Sequence, residues 1–272
     1  MKIILWIGNE SNQRALANKI HNRYPLTAIV TESRKHKRKL TIKKIFEKGI
    51  EKIFLRNIAF SWFKMMDYYK NQYPIYPNVP ILDVENINND KVFDYTNEKQ
   101  PDLIIVSGTR MIRKKLLSIK PNIGILNLHT GLSPYIKGGP NCTNWCISKK
   151  KFHLIGNTIM WIDEGIDSGN ILATEFTNFN GFETLLKIHI KVMEHAHELY
   201  IRSIENIKNG YINNIAQKDI DNGITYYNKD WGLKEKFQLL VNLKEFKEFF
   251  KYNKLVVPRK NIKVFPVNKT TI

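Results

Sequence analysis

An asparagine and a histidine stand two residues apart at the end of an apolar run. The run covers residues 123–128 and includes Asn127, and His129 follows it directly. Side chains along a strand point alternately to opposite faces, so these two would point to the same side. An asparagine amide can donate a hydrogen bond to a developing oxyanion, and a histidine titrates near neutral pH. The pair therefore predicts one wall of a reactive pocket.

A second strand candidate, residues 157–163, leads into three acidic residues. Asp163, Glu164 and Asp167 lie in a segment broken by a glycine and followed by a Ser-Gly pair, which is typical of an irregular loop. We expect one of these carboxylates to face His129, where it would fix the imidazole tautomer and raise its pKa. Such a trio suits acyl transfer.

A turn-rich loop follows the histidine. Its glycines and prolines are Gly131, Pro134, Gly138, Gly139 and Pro140. Loops of this composition commonly build a binding wall above strand ends, so we expect a cleft here. The loop also holds Ser133, but this serine lies outside the G-x-S-x-G turn of serine hydrolases, so a serine nucleophile is not expected.

The elements that must position these residues alternate between strands and helices. Apolar runs predict strands at residues 2–8, 27–30, 80–84, 102–107, 123–128, 157–163 and 170–176. Apolar residues at helical spacing predict helices at residues 9–23, 182–208 and 233–251. This alternation is typical of an α/β protein built around a parallel sheet.

A basic run leads into an aromatic-rich segment, and together they form an insertion at about residues 33–76. The basic residues of the run are Arg34, Lys35, His36, Lys37, Arg38, Lys39, Lys43 and Lys44. A solvated loop and helix face is the favoured interpretation, and a flap over an anionic substrate is the alternative. We place the main domain at residues 1–210 and a small C-terminal extension at residues 211–272.

The net charge of +18 is the most unusual feature of the composition. Clustered Lys and Arg attract polyanions, but Lys, Asn and Ile are abundant everywhere, as in proteins of AT-rich genomes, so no nucleic-acid partner is expected. A phosphate-bearing small substrate fits either interpretation.

Cys142 and Cys146 match neither a zinc site nor a disulfide framework. No stretch reaches the ~18 apolar residues that span a bilayer, so we expect a cytoplasmic protein.

The long helix predicted at residues 182–208 carries His195 and His197. Two positions along a helix separate side chains by about 200°, so these histidines cannot share a metal ion. Both are expected at the surface.

Three segments of the chain resemble the folate-dependent formyltransferases. They are NLHTGLSP, which starts at Asn127, the YIKGG loop, and GIDSGNIL, which contains Asp167. The family includes glycinamide ribonucleotide formyltransferase, methionyl-tRNA formyltransferase and the sugar N-formyltransferases. The resemblance extends from the first residue to about residue 176 and implies a Rossmann-like, mostly parallel sheet. It also implies that Asn127, His129 and Asp167 are catalytic, and it alone selects Asp167 among the three acidic residues.

The same resemblance implies 10-formyltetrahydrofolate as the cofactor. Two segments are expected to hold its pterin ring, namely Met111, Ile112 and Arg113, and the loop residues Asp163, Glu164, Gly165 and Ile166. A polar heterocycle needs backbone donors and acceptors within an apolar slot, which strand ends provide. The first turn, GNESNQ, lacks the G-x-G-x-x-G of dinucleotide-binding proteins, and no metal is required.

The loop SPYIKGGPNCTNW and the short tail look like those of the sugar N-formyltransferases. That resemblance implies a nucleotide-linked amino sugar as the acceptor, such as a 4-amino-4,6-dideoxyhexose for O-antigen in lipopolysaccharide, and a homodimer. The expected substrate contacts are Lys137, Trp145, Asn9 and Ser11, with core packing an equal alternative for Trp145. Two alternatives stay open, formylation of methionyl-tRNA and an RNA-binding protein with a basic docking surface.

Overall fold

The computed structural model describes residues 1–34 and 42–267, and within them the chain forms nine strands and nine α-helices. The strands are β1 (Ile3–Gly8), β2 (Leu26–Glu32), β3 (Ile81–Val84), β4 (Leu103–Ser107), β5 (Gly124–His129), β6 (Ile136–Gly138), β7 (Gly156–Trp161), β8 (Ile171–Phe176) and β9 (Ile224–Tyr226). The helices are α1 (Ser11–Arg23), α2 (Ile42–Phe54), α3 (Arg56–Gln72), α4 (Asp90–Lys99), α5 (Lys114–Leu117), α6 (Cys142–Ser148), α7 (Leu185–Lys208), α8 (Leu233–Lys251) and α9 (Val256–Arg259). None of these described helices is both long and apolar enough to cross a membrane.

Seven of the strands form one sheet, in the order β3-β2-β1-β4-β5-β7-β8. The pairings among β1 to β5 are parallel, and β7 and β8 extend one edge through antiparallel pairings. β1 and β4 are buried along their whole length. Their sequences are continuous apolar runs for that reason, since both faces of a central parallel strand are covered. The mostly parallel α/β sheet expected from the sequence is confirmed.

The strand order reverses between β1 and β4, because β2 and β3 lie on one side and β5 on the other. In open α/β sheets, ligands bind at the carboxyl ends of the strands beside such a reversal. The last residues of β1, β4 and β5 are Gly8, Ser107 and His129. The predicted histidine therefore lies at the edge of the sheet where a ligand site is expected.

Helices cover both faces of the sheet. On one face, Leu16 of α1 and Leu199 of α7 share a buried core with Leu126 of β5. On the other face, Val92 of α4 and Leu116 of α5 share a second core with β1, β2 and β4. The strand ends that carry the candidate residues are therefore supported by packed side chains from both sides.

The insertion forms α2 and α3, whereas residues 35–41 of the basic run lie outside the described residues. α3 packs against α1 and α7, and its residues Met65 and Tyr69 are fully buried there. Phe60 and Phe63, on the same helix, are exposed. One side of α3 is thus exposed to solvent. The other side packs on α1 and α7, so that α3 forms a second helix layer outside them.

Two of the three histidines of α7, His195 and His197, are expected at the surface, and neither is exposed. His197 is 1% exposed, and its ring centre is 5.6 Å from that of Tyr69 in α3. His195 is mostly buried, with Nε2 at 3.2 Å from the carboxylate of Glu175. The prediction was wrong for His197 because α3 covers that side of α7. It was wrong for His195 because that side chain faces the sheet, where it contacts Asn157 of β7 and Glu175 of β8.

The C-terminal extension packs onto the main domain at several places. β9 pairs in parallel with β6, which belongs to the loop after His129. α8 packs against α6, and Ile215 exchanges two backbone hydrogen bonds with Ile171 at the start of β8. The extension therefore contacts the turn-rich loop, which follows His129, and the start of β8, which follows Asp167.

Met65→Ala is expected to lower the free energy of unfolding by about 2–5 kcal/mol, because it leaves a cavity between α3, α1 and α7. Denaturant unfolding followed by circular dichroism measures this loss. Phe60→Ala, at an exposed position on the same helix, is the control, with an expected change within about 0.5 kcal/mol. Similar losses in the two variants would contradict the packing described for α3.

Candidate active site

Asp167 lies between the two polar side chains at the end of β5. Its Oδ2 is 3.3 Å from Nδ1 of His129, and its Oδ1 accepts a hydrogen bond from the Asn127 amide over 3.4 Å. Asn127 and His129 are alternate residues of β5, so the period of the strand brings both to one carboxylate. The structure thus places the three residues in one cluster.

The loop between β7 and β8 holds Asp167 in a left-handed backbone conformation, with φ at +48°. Such a conformation costs a residue other than glycine roughly 1–3 kcal/mol, although aspartate adopts it more readily than most. The Gly138 amide donates to Oδ2 over 3.0 Å. Gln217 Nε2 donates to the backbone carbonyls of Asp167, over 2.8 Å, and Gly169, over 2.7 Å. The side chain of Asp167 is therefore held by the turn-rich loop, through Gly138, and its backbone by the C-terminal extension, through Gln217.

The other two acidic residues of this loop have other partners. Asp163 Oδ1 accepts hydrogen bonds from the Gly165 amide over 2.9 Å and from the Ser168 hydroxyl over 2.7 Å. Glu164 is exposed and pairs with Lys114 at 3.7 Å. Of the three carboxylates, that of Asp167 is the one in contact with the imidazole.

His129 has an oxygen acceptor at each ring nitrogen. Nδ1 faces the carboxylate of Asp167, and Nε2 is 3.2 Å from the carbonyl oxygen of Ile136. A ring nitrogen must carry a hydrogen to bind such an acceptor, so this geometry favours the doubly protonated ring. Burial opposes a charged imidazole, but Asp167, Cys142 and the Ile136 carbonyl outweigh it and raise the pKa of His129 to about 10. The contacts of His129 therefore favour the cationic form of the ring.

Two glycines of the turn-rich loop make close contacts that a side chain would prevent. A Cβ at Gly131 would lie 2.3 Å from Nε2 of His129. Gly138 has φ at +87°, and a Cβ there would lie 2.1 Å from the carbonyl oxygen of Tyr226 in β9. A side chain at either position would displace the imidazole or the β6–β9 pairing.

A cavity of about 200 Å³ opens beside Asn127 and Asp167. Five of the seven residues expected to hold the pterin line it, namely Met111, Ile112, Asp163, Gly165 and Ile166. Arg113 and Glu164 do not line it, and the Arg113 amide already donates to Asn88 over 2.8 Å. The side chains of Met111 and Ile166 are 56% and 50% exposed, which leaves two apolar surfaces on a cavity that Arg110, Asp163 and Ser168 also line.

Two residues outside every motif hold the loop after β4. Asn88 Nδ2 donates to the Met111 carbonyl over 3.0 Å, while Asn88 Oδ1 accepts from the Arg113 amide. Glu32, a buried residue at the end of β2, accepts from the backbone and the guanidinium of Arg110. An acidic residue ending an apolar strand is a sequence signal that could have identified Glu32, whereas Asn88 has no comparable signal.

The indole of Trp145 lies in the core, not in the cleft. It is 2% exposed, stacks on Tyr226 at 4.3 Å between ring centres, and donates to the Gly139 carbonyl over 3.1 Å. A side chain so buried has no surface for direct substrate contact, so the structure favours the packing alternative. Lys137, on β6, belongs to the turn-rich loop itself and is half-buried.

The first turn after β1 is tied to the insertion. Asn9 donates to the Ser33 hydroxyl over 2.8 Å and accepts from the Tyr76 hydroxyl over 3.0 Å. The Ser11 hydroxyl donates to the Met66 carbonyl in α3 over 2.6 Å. The side chains of Asn9 and Ser11, both expected to contact substrate, thus already have partners within the protein.

Residues 1–204 match the model of the formyl transferase family, and this range includes the whole cluster at the end of β5. The chain belongs to this family. Methionyl-tRNA formyltransferase of Clostridium tetani is 31% identical to this formyl transferase chain over 145 residues, which are 52% of the chain and 46% of that protein. The chain spans about half the length of the curated relatives it matches.

Solved N-formyltransferase structures share the fold of this formyl transferase chain over most of its length. The sugar N-formyltransferase of a Shewanella species has a TM-score of 0.58 at 14% identity, covering 89% of this chain and 88% of that one. The N-formyltransferase of Helicobacter canadensis, solved with folinic acid and dTDP-3-aminofucose, has a TM-score of 0.54 at 15% identity, covering 92% and 82%. At these identities the likeness establishes the fold.

Asp167→Asn is expected to lower the pKa of His129 from about 10. The substitution removes the charge that favours the cation, whereas burial, which opposes it, remains. NMR titration of the imidazole signals measures the shift. Asp94→Asn, at an exposed position on α4, is the control and should leave the pKa of His129 unchanged. A raised pKa that survives in Asp167→Asn would contradict the ion pair.

Gln217→Leu is expected to lower the pKa of His129 by about one unit or more. Leucine removes both donors to the carbonyls of Asp167 and Gly169, so the loop is free to move its carboxylate away from the imidazole. The same titration measures the effect, with Lys218→Leu, an exposed neighbour, as the control. A loss of stability with an unchanged pKa would show that Gln217 only packs.

Proposed function

We propose that this formyl transferase chain transfers a formyl group from 10-formyltetrahydrofolate to the amine of a nucleotide-linked amino sugar. The observation that carries the proposal is the cluster of Asn127, His129 and Asp167 beside a cavity at the strand ends. An amide donor, a cation and a carboxylate meet the needs of acyl transfer to an amine, which are a stabilised oxyanion and a proton acceptor.

Asn127 and His129 are proposed to stabilise negative charge. As the lone pair of the acceptor amine forms a new bond to the formyl carbon, an electron pair of the carbonyl moves onto its oxygen. The Asn127 amide donates to that oxygen, and the positive charge of His129 lowers its energy further. One donor of this kind typically contributes about 10²–10³-fold to a rate.

Asp167 is proposed to orient the imidazole and to accept a proton. Its Oδ2 holds the Nδ1 hydrogen of His129, which keeps the ring protonated. The attacking amine becomes positively charged, and the carboxylate takes its proton directly or through a water molecule. As the old carbon–nitrogen bond breaks, this proton passes to the departing nitrogen, and the charges balance.

The residues around the 200 Å³ cavity fit a folate. When bound, 10-formyltetrahydrofolate supplies the formyl carbon that the amine attacks. The cavity is smaller than the ~300–1,000 Å³ of pockets that enclose a whole ligand, so we infer that it holds the pterin ring alone. Met111 and Ile166, both about half exposed, would cover the ring and let the remainder extend past them. Backbone groups at Ile112 and Asp163 and the Gly165 carbonyl would supply polar contacts, since the Gly165 amide already donates to Asp163.

The acceptor is proposed from the extent of the structural likeness. The Helicobacter canadensis and Shewanella structures cover about nine-tenths of this chain, whereas the methionyl-tRNA formyltransferase of Clostridium tetani aligns with about half of it. The Helicobacter protein was solved with dTDP-3-aminofucose. A nucleotide-linked 4-amino-4,6-dideoxyhexose supplies both the neutral amine that the cluster requires and phosphates that suit a chain of net charge +18.

Methionyl-tRNA is the second candidate acceptor. The sequence relatives at about 30% identity are methionyl-tRNA formyltransferases, and a basic surface attracts RNA. The two candidates differ in salt dependence, because docking of a polyanion releases many counterions and weakens steeply as salt rises. A filter-binding titration against tRNA at several salt concentrations separates them.

With 10-formyltetrahydrofolate, the purified chain is expected to formylate at least one member of a panel of dTDP-, UDP- and GDP-linked 4-amino sugars. Mass spectrometry of the product measures the transfer. Asn127→Ala and Asp167→Asn should each lower the rate by about 10²–10⁴-fold, because each removes a group that acts on the reacting atoms. Circular dichroism should show both variants folded.

Asp94→Asn, at an exposed position on α4 outside the cavity, is the control for the assay and should keep the rate of the parent chain. Turnover close to that of the parent in Asp167→Asn would remove Asp167 from the mechanism. Transfer to methionyl-tRNA with none to the sugars would favour the second candidate.

A further inference from the structure

A second cavity, of about 570 Å³, lies between the insertion helices and the start of α6. One wall is formed by Pro140, Asn141 and Asn144, and the other by α2 and α3. It shares no lining residue with the smaller cavity beside Asn127. Its volume lies within the ~300–1,000 Å³ that is usual for small-molecule sites.

Three positive side chains line this cavity without a partner among the described residues. They are Lys48, Lys52 and Arg56, and all three are exposed. Glu51 and Lys236 also line the cavity, but they form an ion pair with each other. The site therefore has an excess of positive charge, which favours a ligand with several negative charges close together.

The remaining lining is largely apolar and includes two aromatic rings. Phe63 is 65% exposed at the cavity although its ring is wholly apolar. Trp62 packs edge-on against His189, with ring centres 6.1 Å apart, and His189 is hydrogen-bonded to Asn144 over 2.8 Å. The aromatic wall is thus anchored to the wall formed by α6. An exposed aromatic face beside positive charges suits a flat base joined to phosphates.

The cavity adjoins the catalytic cluster through the turn that precedes α6. Pro140 follows the β6 residue Gly138 by two positions, and the amide of Gly138 holds the carboxylate of Asp167. On the far side of Pro140, the sulfur of Cys142 lies 3.5 Å from Nε2 of His129. A ligand that contacts Pro140 therefore lies against a turn whose neighbouring residues, Gly138 and Cys142, contact Asp167 and His129.

We propose that this cavity binds the nucleoside diphosphate of the acceptor, with the phosphates at Lys48, Lys52 and Arg56 and the base against Phe63. The inference rests on the proposed function, since it assumes that the acceptor is linked to a nucleotide. The amino sugar extends from the second phosphate past Pro140 toward Asn127. The insertion then serves as the nucleotide-binding part of the enzyme.

Isothermal titration calorimetry of the full chain with dTDP, UDP and inorganic pyrophosphate tests this inference. Lys52→Glu/Arg56→Glu is expected to raise the dissociation constant of all three at least about tenfold, because charged hydrogen bonds to the phosphates are lost. Lys70→Glu/Lys244→Glu is the control, since it makes the same change of net charge at exposed positions outside the cavity. Phe63→Ala should weaken dTDP and UDP while leaving pyrophosphate unchanged.

The outcomes for the cavity and for the proposed function can be told apart. Dissociation constants that are equal in the parent chain and Lys52→Glu/Arg56→Glu would overturn the cavity assignment and leave formyl transfer standing. Nucleotide binding that depends on Lys52, in a chain that formylates no sugar, would support the cavity and contradict the proposed acceptor. Parent protein that binds tRNA through Arg56 but binds no nucleotide would overturn the assignment in favour of a polyanion surface. Thermal unfolding checks that each variant is folded.

Discussion

The ion pair between Asp167 and His129 is the interaction on which the rest of the site depends. An imidazolium as buried as that of His129, which is 7% exposed, is stable only with a negative partner in contact. The carboxylate that supplies this charge sits on a loop in a backbone conformation that few residues adopt. The Gly138 amide, which donates to Oδ2 of Asp167, and the Gln217 side chain, which donates to its carbonyl, hold this carboxylate against the imidazole. The ion pair depends on both hydrogen bonds.

Much of this support comes from the C-terminal extension, a part of the chain that carries no motif. Gln217 fixes the backbone of the acidic loop, and β9 pairs with the strand that contains Gly138. Tyr226 stacks on Trp145 of α6, and the indole of Trp145 donates to the Gly139 carbonyl in the turn-rich loop. The extension thus stabilises both loops that meet at the imidazole, and its position explains why a segment so plain in sequence matters to the site.

Local periodicity predicted most of the framework, because strands and helices that pack on one core show that packing in their own residues. The helix at residues 233–251 and the strand that carries Asn127 both lie where the apolar pattern indicates. Interactions between distant segments were missed or mistaken. His197 is buried by a helix from the insertion, and Gln217 reaches Asp167 across fifty residues of sequence. The sequence on either side of His197 or Gln217 does not indicate which distant residue each one contacts.

The pairing of β6 with β9 also sets the order in which the protein can become competent. Ile136 pairs with Ile224, so the short strand in the turn-rich loop meets its partner only after almost ninety further residues have been made. On the ribosome, the parallel sheet can assemble while this loop still has no neighbouring strand. Contacts so distant in sequence form late in folding, because a long segment must be ordered first. The geometry around Asp167 is therefore complete only once residues 224–226 have joined β6, because Gly138, whose amide holds the Asp167 carboxylate, lies on that strand.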